Sequence, residues 1–255
     1  MFASVLKSGG ICALMLVLVG LNPSSQAGQN DSPKVILAKV TKAYGGVNKL
    51  KRYQGYEASG KGVFYGMGNP IKYQGQWKGE GARSRMSITM QFGDQTIQLV
   101  EVVGNKTGWT KLTGLGVKEM TKVEFKEKFE SNYVGGLVPR ILVESKGFEF
   151  NSAGSIQVKG KDAIGLQVLK KGRPDATLYF DPKTALLVKT ERPGVDPKGG
   201  NEFTEEVYYS NYKEFNGIPV ATKIQVDHDG KLFVKAEFSN FQVTQSLDKK
   251  TFERP

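Results

Sequence analysis

The C-terminal part of the chain alternates apolar and polar residues through three long runs separated by hairpin-turn dipeptides. The segment "FTEEVYYSNYKEFNGIPVATKIQVDHDGKLFVKAEFSNFQV" is divided by Asn216-Gly217 and Asp229-Gly230, and both dipeptides favour tight turns between antiparallel strands. The runs leave no room for a crossover helix between them. This feature constrains the fold most, because consecutive long hairpins build an antiparallel sheet.

The same two-residue period covers most of the remaining chain. It begins at Tyr53, continues through "GVFYGMGNPIKYQGQW", "SRMSITMQF" and "TIQLVEVV", and resumes from about Phe148. We count about eleven strands in all. A sheet of that size must curl, and its inner face must be covered. The sequence therefore predicts a mainly β (α+β) fold, in which a single large curled antiparallel sheet forms an incomplete β-barrel. No linker divides the strands, so we expect residues 33–255 to form one domain.

Two segments with helical periodicity are available to cover the inner face of this sheet. In the first, Ser32 can cap a helix and Pro33 suits its first turn, and apolar residues follow at helical spacing up to Gly45-Gly46. A glycine costs a helix interior about 1 kcal/mol relative to alanine. We therefore expect two short helices that follow the curved mouth of the barrel, with Gly45 and Gly46 as the hinge of a lid.

The second helical segment lies in the middle of the chain and has a double glycine of its own. Thr121 followed by Glu124 is the pattern of a capping box. Aromatic residues then recur at helical spacing until Gly135-Gly136 interrupts them, before the apolar stretch "LVPRILVE". We expect this segment to cover the sheet together with the first one.

The N-terminus predicts a secretory signal peptide over residues 1–27. Lys7 supplies a short positive region, "ICALMLVLVGL" is an apolar run too short to span a bilayer, and a small-residue cleavage site ends at Ala27. An uncleaved membrane anchor is the alternative. Both interpretations place the rest of the chain outside the cytoplasm, in the periplasm or secreted. Residues 28–32 are expected to be a disordered leader.

Cysteine and charge restrict the chemistry and the partners of the mature chain. The sole cysteine, Cys12, lies within the signal, so no thiol remains for a disulfide, a metal site or covalent catalysis. Loss of residues 1–27 leaves a net charge of +10. This charge serves solubility and also makes an anionic membrane surface a candidate partner. The lysines are scattered, and no basic run is interleaved with aromatic residues, so nucleic acid is not expected as a partner.

Motifs for catalysis and for cofactors are weak or missing in the sequence. His228 is the only histidine, and a Ser-His-Asp arrangement would have to use it, yet it lies in a predicted hairpin turn. Successive strand residues point to opposite faces, so Asp227, His228 and Asp229 would chelate a metal poorly. Glu205 and Glu206 leave a carboxylate-based hydrolase open. We expect a protein that is not an enzyme, with no cofactor and no metal site.

Apolar residues on the alternating strands and on the helices are candidates for lining a cavity. They are Ile71, Tyr73, Trp77, Met86, Ile88, Met90, Ile97, Leu99, Phe125, Phe129 and Leu142. Methionines on a strand would give an adaptable lining. The alternative is that these residues fill a solid core. Arg83 and Arg85 are candidates for binding a headgroup phosphate, or else they are solvated residues at a strand end.

Several stretches, in order, resemble the bacterial outer-membrane lipoprotein carrier superfamily of LolA-like and LolB-like proteins. They are "ILAKVTKAYGGVNKLKRYQGYEASGKG", "VVGNKTGWTKLTG", "MTKVEFKEKFESNY" with "LVPRIL", "LYFDPKTALLVKTE", and the C-terminal "YSNYKEFNGIPVATKIQVDHDGKLFVKAEFSNFQVTQSLDKKTFERP". Each motif is loose alone, but their order covers the whole mature chain. Within that superfamily the chain looks more like the exported lipoprotein-sorting proteins.

This resemblance implies an incomplete barrel closed by helices around an apolar cavity that takes acyl chains. The function it favours is that of a periplasmic carrier or binding protein for a lipid or for the acyl chain of a lipoprotein. The alternative is a non-catalytic protein-binding sensor or scaffold of the cell envelope with the same fold. We expect a monomer in either case.

Overall fold

The computed structural model describes residues 31–144 and 146–255, which contain thirteen strands and four α-helices. The predicted signal peptide and the first residues of the predicted leader lie outside the described residues. The strands are β1 (Gly55–Phe64), β2 (Ile71–Glu80), β3 (Arg83–Phe92), β4 (Gln95–Val103), β5 (Gly108–Leu112), β6 (Gly116–Glu119), β7 (Glu149–Val158), β8 (Lys161–Leu169), β9 (Ala176–Phe180), β10 (Leu187–Val195), β11 (Glu202–Phe215), β12 (Ile218–His228) and β13 (Lys231–Thr244). The helices are α1 (Pro33–Ala43), α2 (Val47–Arg52), α3 (Lys122–Gly135) and α4 (Leu137–Val143).

All thirteen strands belong to one antiparallel sheet in the order β6-β5-β4-β3-β2-β1-β13-β12-β11-β10-β9-β8-β7. The first and last strands pair at its centre, where Gly55 lies opposite Thr244. The edge strands are β6 and β7, so the sheet is not closed within the described residues. The prediction of a mainly β fold with a curled, incomplete barrel and covering helices is confirmed. The count of about eleven strands was low because β5 and β6 are short and had no long alternation to mark them.

The two glycine pairs separate the helices as predicted, but the two N-caps differ. Thr121 begins α3 with a complete capping box, in which Thr121 N donates to Glu124 Oε2 at 2.7 Å and Glu124 N donates to Thr121 Oγ1 at 3.2 Å. Ser32 stands at the N-cap of α1, but its side chain accepts no capping hydrogen bond. Pro33 opens α1 as expected, since its missing N–H would have no partner there.

The main core lies where α1, α2 and α4 pack on one half of the sheet, over β8, β9 and β10. Val40 of α1 and Leu137 of α4 meet Leu166 and Leu178 of the sheet there, and each of these side chains is at most 1% exposed. Complete burial of one such side chain stabilises the fold by about 1.5–3 kcal/mol. No helix in the described part of the chain is long and apolar enough to cross a bilayer.

The glycine pair between α1 and α2 has left-handed backbone geometry. Gly45 has φ +80° and Gly46 has φ +89°, and L-residues adopt such angles at a cost of about 1–2 kcal/mol. A Cβ atom on Gly45 would also lie 2.6 Å from the carbonyl oxygen of Gly217, whereas a Cβ on Gly46 would meet no atom within 4 Å. The pair is therefore a tight turn between two helices that packs against the β11–β12 turn.

Alanine at this turn is expected to destabilise the fold rather than to straighten α1 and α2 into one helix. We expect Gly46→Ala to lower the free energy of unfolding by about 1–2 kcal/mol from backbone strain, and Gly45→Ala to lower it further because of the close carbonyl. Thermal and urea unfolding measure both effects. Gly135→Ala is the matched control, because Gly135 ends α3 without positive φ and has open space around it. Equal stability of all three variants would contradict this account.

Candidate functional site

Strand register places eight of the predicted cavity residues on one face of the sheet. Directly opposed residues in neighbouring strands share a face, and Tyr73 lies opposite Met90, which in turn lies opposite Ile97. Every second residue along β2, β3 and β4 lies on this same face. The eight residues are Ile71, Tyr73, Trp77, Met86, Ile88, Met90, Ile97 and Leu99.

Helix α3 lies over this same face, which we call the inner face. Asn132 of α3 donates to Ser84 Oγ at 2.8 Å, and Ser84 lies on β3 two residues before Met86, hence on the same face. Lys128 Nζ lies 2.9 Å from Glu101 Oε2 of β4, and Glu101 is opposite Met86 in the register. One side of α3 is thus attached to β3 and β4.

The other side of α3 is attached to β10 and β11, which lie on the far side of the sheet. Ser131 Oγ donates to Glu205 Oε1 at 3.0 Å. Glu127 accepts from Arg192 and, at 3.0 Å, from the backbone N–H of Val195. Because β4 and β10 are seven places apart in the strand order, one helix reaches both only if the sheet curls around it. We refer to α3 as the strap.

Apart from the polar side chains that bond to the strap, the predicted strand residues make the inner face apolar, but they are less buried than the main core. Tyr73 is 7% exposed, and the other seven predicted strand residues are half-buried. Among the described residues, the main core takes in Phe129 and Leu142 from the helices and none of these eight. Phe125 is half-buried, with its ring 5.6 Å from that of Phe129. The eight strand residues therefore form an apolar surface next to the core.

Aromatic residues of β1 and β13 extend this surface, and the sequence pattern did not reveal them. Phe238 makes an edge contact with Trp77 at 5.2 Å between ring centres, and Phe241 stacks on Tyr56 at 5.3 Å. Phe238 and Phe241 are three residues apart, so strict alternation would place them on opposite faces. A shift in register between Ser59 and Gly60 absorbs one residue of β13 and brings both rings to the inner face.

The structure does not bring Arg83 and Arg85 together with these apolar residues. Their odd positions in β3 place them on the outer face, whereas Met86 and Ile88 lie on the inner face. Arg83 pairs with Glu80, and its guanidinium carbon lies 4.5 Å from the ring centre of Phe252. Arg85 Nη1 donates to the carbonyl oxygen of Thr251 at 3.5 Å. Both arginines hold the C-terminal turn against the outer face.

His228 is the last residue of β12 and not a turn residue as the sequence suggested. Its ring is half-buried between Phe203, at 4.2 Å, and Phe233, at 4.0 Å between ring centres. Nε2 of His228 lies 3.7 Å from Glu205 Oε2. The prediction failed because the turn begins one residue later, at Asp229. Asp227 and His228 point to opposite faces of β12, which separates them as metal ligands.

Glu205 is buried and held in its charged form. Burial by itself would raise the pKa of its carboxyl, but the nearby imidazole of His228 and the charge and hydrogen bond of Arg192 outweigh burial and lower that pKa to about 2. Arg192 Nε donates to Glu205 Oε1 at 2.8 Å. Glu206 points to the outer face, where it pairs with Lys189 at 2.5 Å. Glu205 and Glu206, the candidate pair for a carboxylate-based hydrolase, thus lie on opposite faces of the sheet. Each is paired with a different cationic side chain.

The described residues form a groove of about 900 Å³. It crosses the middle of the sheet from β4 to β11, and amide and hydroxyl side chains dominate its lining. They include Ser59, Gln74, Gln76, Ser87, Thr89 and Gln98, with Lys61, Lys213 and Glu237 as the charged members. Ile88, Leu99 and Phe238 of the inner face also line this groove, so two of the predicted cavity residues border it.

Comparison with known proteins identifies the fold. No family model matches the sequence, and no curated protein matches it. A DUF1329 family protein from Desulfovibrio piger is 13% identical and aligns over 86% of this chain and 96% of its own, with a TM-score of 0.56. A putative outer membrane lipoprotein-sorting protein domain from Vibrio parahaemolyticus is 15% identical over 86% and 94% of the two chains, with a TM-score of 0.51.

A third solved structure has the same fold. A LolA superfamily protein from Nitrosomonas europaea is 11% identical and aligns over 88% of this chain and 98% of its own, with a TM-score of 0.51. The chain therefore has a LolA-like fold, as the resemblance of its motifs implied. At these identities the likeness concerns the fold.

Proposed function

We propose that this protein is an exported carrier or binding protein that holds a lipid, or the acyl chain of a lipoprotein, against the apolar inner face under the strap. The observation that carries the proposal is the exposure of that face. A row of large apolar residues on β2, β3 and β4 is half-buried although the strap lies over it. Exposed apolar patches of this kind are typical of ligand-binding grooves.

An acyl chain fits the chemistry of this surface. It requires apolar contacts and no catalytic group, and each buried methylene contributes about 0.8 kcal/mol. Met86 and Met90 have flexible side chains that adapt to chains of different shape. Trp77, Phe238 and Phe241 offer flat apolar rings beside them. The residues of the proposed site therefore need no metal and no cofactor.

Export and membrane contact complete the proposal. A signal peptide over residues 1–27 would deliver the mature chain, starting at Gly28, to the periplasm. The net charge of +10 on that mature chain would attract it to anionic membrane surfaces, where lipids enter and leave. The lipoprotein-sorting name of one structural neighbour agrees with such a role.

Native mass spectrometry of the protein purified from the periplasm tests this function. With its own leader retained in the expressed gene, the protein is expected to begin at Gly28, to be monomeric, and to carry a lipid of defined mass. Gentle activation should release that lipid, since only noncovalent contacts hold it. If the periplasmic protein carries no lipid and binds no apolar fluorescent probe, the carrier proposal is refuted and a protein-binding scaffold is favoured.

A further inference from the structure

Three unpaired polar atoms gather where α3 meets α4. Buried side-chain atoms without a hydrogen-bond partner in the described part of the chain include Oε2 of Glu130, the hydroxyl of Tyr133 and Nε of Arg140. The guanidinium carbon of Arg140 lies 5.0 Å from the ring centre of Tyr133, and Glu130 is three residues before Tyr133 on α3. Buried polar groups are nearly always paired in native proteins, so these three atoms leave hydrogen-bonding capacity unused where α3 meets α4.

A second arginine joins this cluster from the β8–β9 turn. Arg173 Nη1 donates to Glu130 Oε1 at 2.6 Å, and its guanidinium carbon lies 4.8 Å from the ring centre of Tyr133. Arg140 differs from Arg173, because it has no ion pair with any carboxylate among the described residues. Glu130 and Tyr133 are 7% and 4% exposed, so their unpaired oxygens lie in a largely dehydrated place where a charged partner binds strongly.

The cluster lies at the edge of the apolar inner face. Asn132, the neighbour of Tyr133, donates to the carbonyl oxygen of Ala82 at 3.2 Å and to Ser84 Oγ at 2.8 Å. Met86 follows Ser84 on the same face of β3. A Cβ atom on Gly81, in the β2–β3 turn, would lie 3.2 Å from Nη2 of Arg140. A lipid with its chains under the strap would therefore have its polar end near this cluster.

The unpaired atoms differ in charge, which defines the class of ligand. The guanidinium of Arg140 and the hydroxyl of Tyr133 are donors that suit a phosphate. The unpaired oxygen of Glu130 is an acceptor that suits a primary ammonium group. We propose that this cluster binds a phosphate headgroup that carries a primary amine, as in phosphoethanolamine. The inference rests on the proposed carrier function and names the polar part of its ligand.

Paired lipids test the proposal in the full-length mature protein. Phosphatidylethanolamine and diacylglycerol with the same acyl chains are titrated by displacement of an apolar fluorescent probe. We expect the wild type to prefer phosphatidylethanolamine by about tenfold or more, the effect of a charged hydrogen bond. Arg140→Met should remove this preference and leave diacylglycerol binding unchanged. Arg83→Met, on the outer face, is the matched control and should keep the preference.

Two further measurements separate failure of the headgroup site from failure of the carrier function. Glu130→Gln should abolish discrimination between phosphatidylethanolamine and phosphatidylglycerol, because only the amine needs the carboxylate. This measurement tests the site even if Arg140→Met fails to fold. Free phosphoethanolamine should bind the wild type weakly and not displace the probe. Equal binding of both paired lipids by the wild type would overturn the headgroup site, leave the carrier intact, and assign the unpaired atoms to internal water. Binding of neither lipid would refute the carrier function. If free phosphoethanolamine still bound in that case, the cluster would be a site for a soluble ligand.

Discussion

Ile88→Glu is expected to abolish binding of an acyl chain while the protein stays folded. Ile88 lies in the middle of the apolar inner face, opposite Gly75 on β2 and Leu99 on β4. A carboxylate there is hydrated in the free protein, because the position is half-buried. A bound chain would strip that water away, at a cost of several kcal/mol for an unpaired charge. Affinity should fall by at least about a hundredfold, which corresponds to roughly 3 kcal/mol.

The neighbouring residue supplies the control for this experiment. Thr89 follows Ile88 on β3 and points to the outer face, where it is exposed. Thr89→Glu adds the same charge to the same strand without touching the inner face. Probe displacement and thermal unfolding should show normal binding and stability for Thr89→Glu. If the two variants bind the probe equally well, the acyl chain does not lie against the inner face.

Arg192→Met is expected to cause the largest loss of unfolding free energy among the residues that attach the strap to the sheet. Arg192 is 3% exposed and pairs with Glu205 and Glu127. Its removal leaves two carboxylates partly or fully buried without their cation, and such a loss typically costs about 3–5 kcal/mol. Lys128→Met is the matched control, because the Lys128–Glu101 pair is more exposed and should contribute less than about 1 kcal/mol. Urea unfolding of both variants at neutral pH measures the difference.

The pH dependence of stability gives a second measurement of the same interaction. Glu205 has a pKa of about 2 in the folded protein, against 4.5 for an ordinary glutamate. A lowered pKa stabilises the fold fully above pH 4.5, and this contribution is lost as the pH falls from 4.5 towards 2. In Arg192→Met the pKa of Glu205 should rise, so the deficit relative to wild type should shrink on acidification. Glu205→Gln in the Arg192→Met background should recover part of the stability at neutral pH. A deficit that is independent of pH would mean that lost packing, and not charge, explains the variant.

Alternation in the sequence was sufficient to place residues wherever a strand was regular. It placed Ile71, Tyr73 and Trp77 on one face of β2 and Met86 and Met90 on the matching face of β3. The same rule, continued to the start of β3, puts Arg83 and Arg85 on the other face, so their assignment to a headgroup beside the apolar residues overlooked the strand period.

Features that depend on irregular backbone or on distant contacts were beyond the sequence. The register shift in the β1–β13 pair places Phe238 and Phe241 together, and nothing in the local pattern marks it. The sign of φ at Gly45 is likewise set by packing of the turn. The contacts of Arg192 with Glu205 and Glu127 join residues from β10, β11 and α3, and such pairs form only once the sheet has curled.

The order of strands also determines how the chain can fold and what its middle segment must do. Strands β1–β6 and β7–β13 are each built from hairpin neighbours, and among the described strands only β1 and β13 pair across the two groups. That pairing joins the first and last strands, for example Gly55 with Thr244, so it has a high contact order and a large loop-closure entropy. Two local meanders can therefore form before the seam that unites them.

The connection between the two meanders runs from one free edge of the sheet, β6, to the other, β7. It consists of α3 and α4, so the segment that covers the apolar face is also the covalent tether between the two edges. When the β1–β13 seam closes, the sheet curls and this tether is drawn across the opening. The two ends of this tether are fixed to opposite edges of the sheet, which limits how far the opening between those edges can widen.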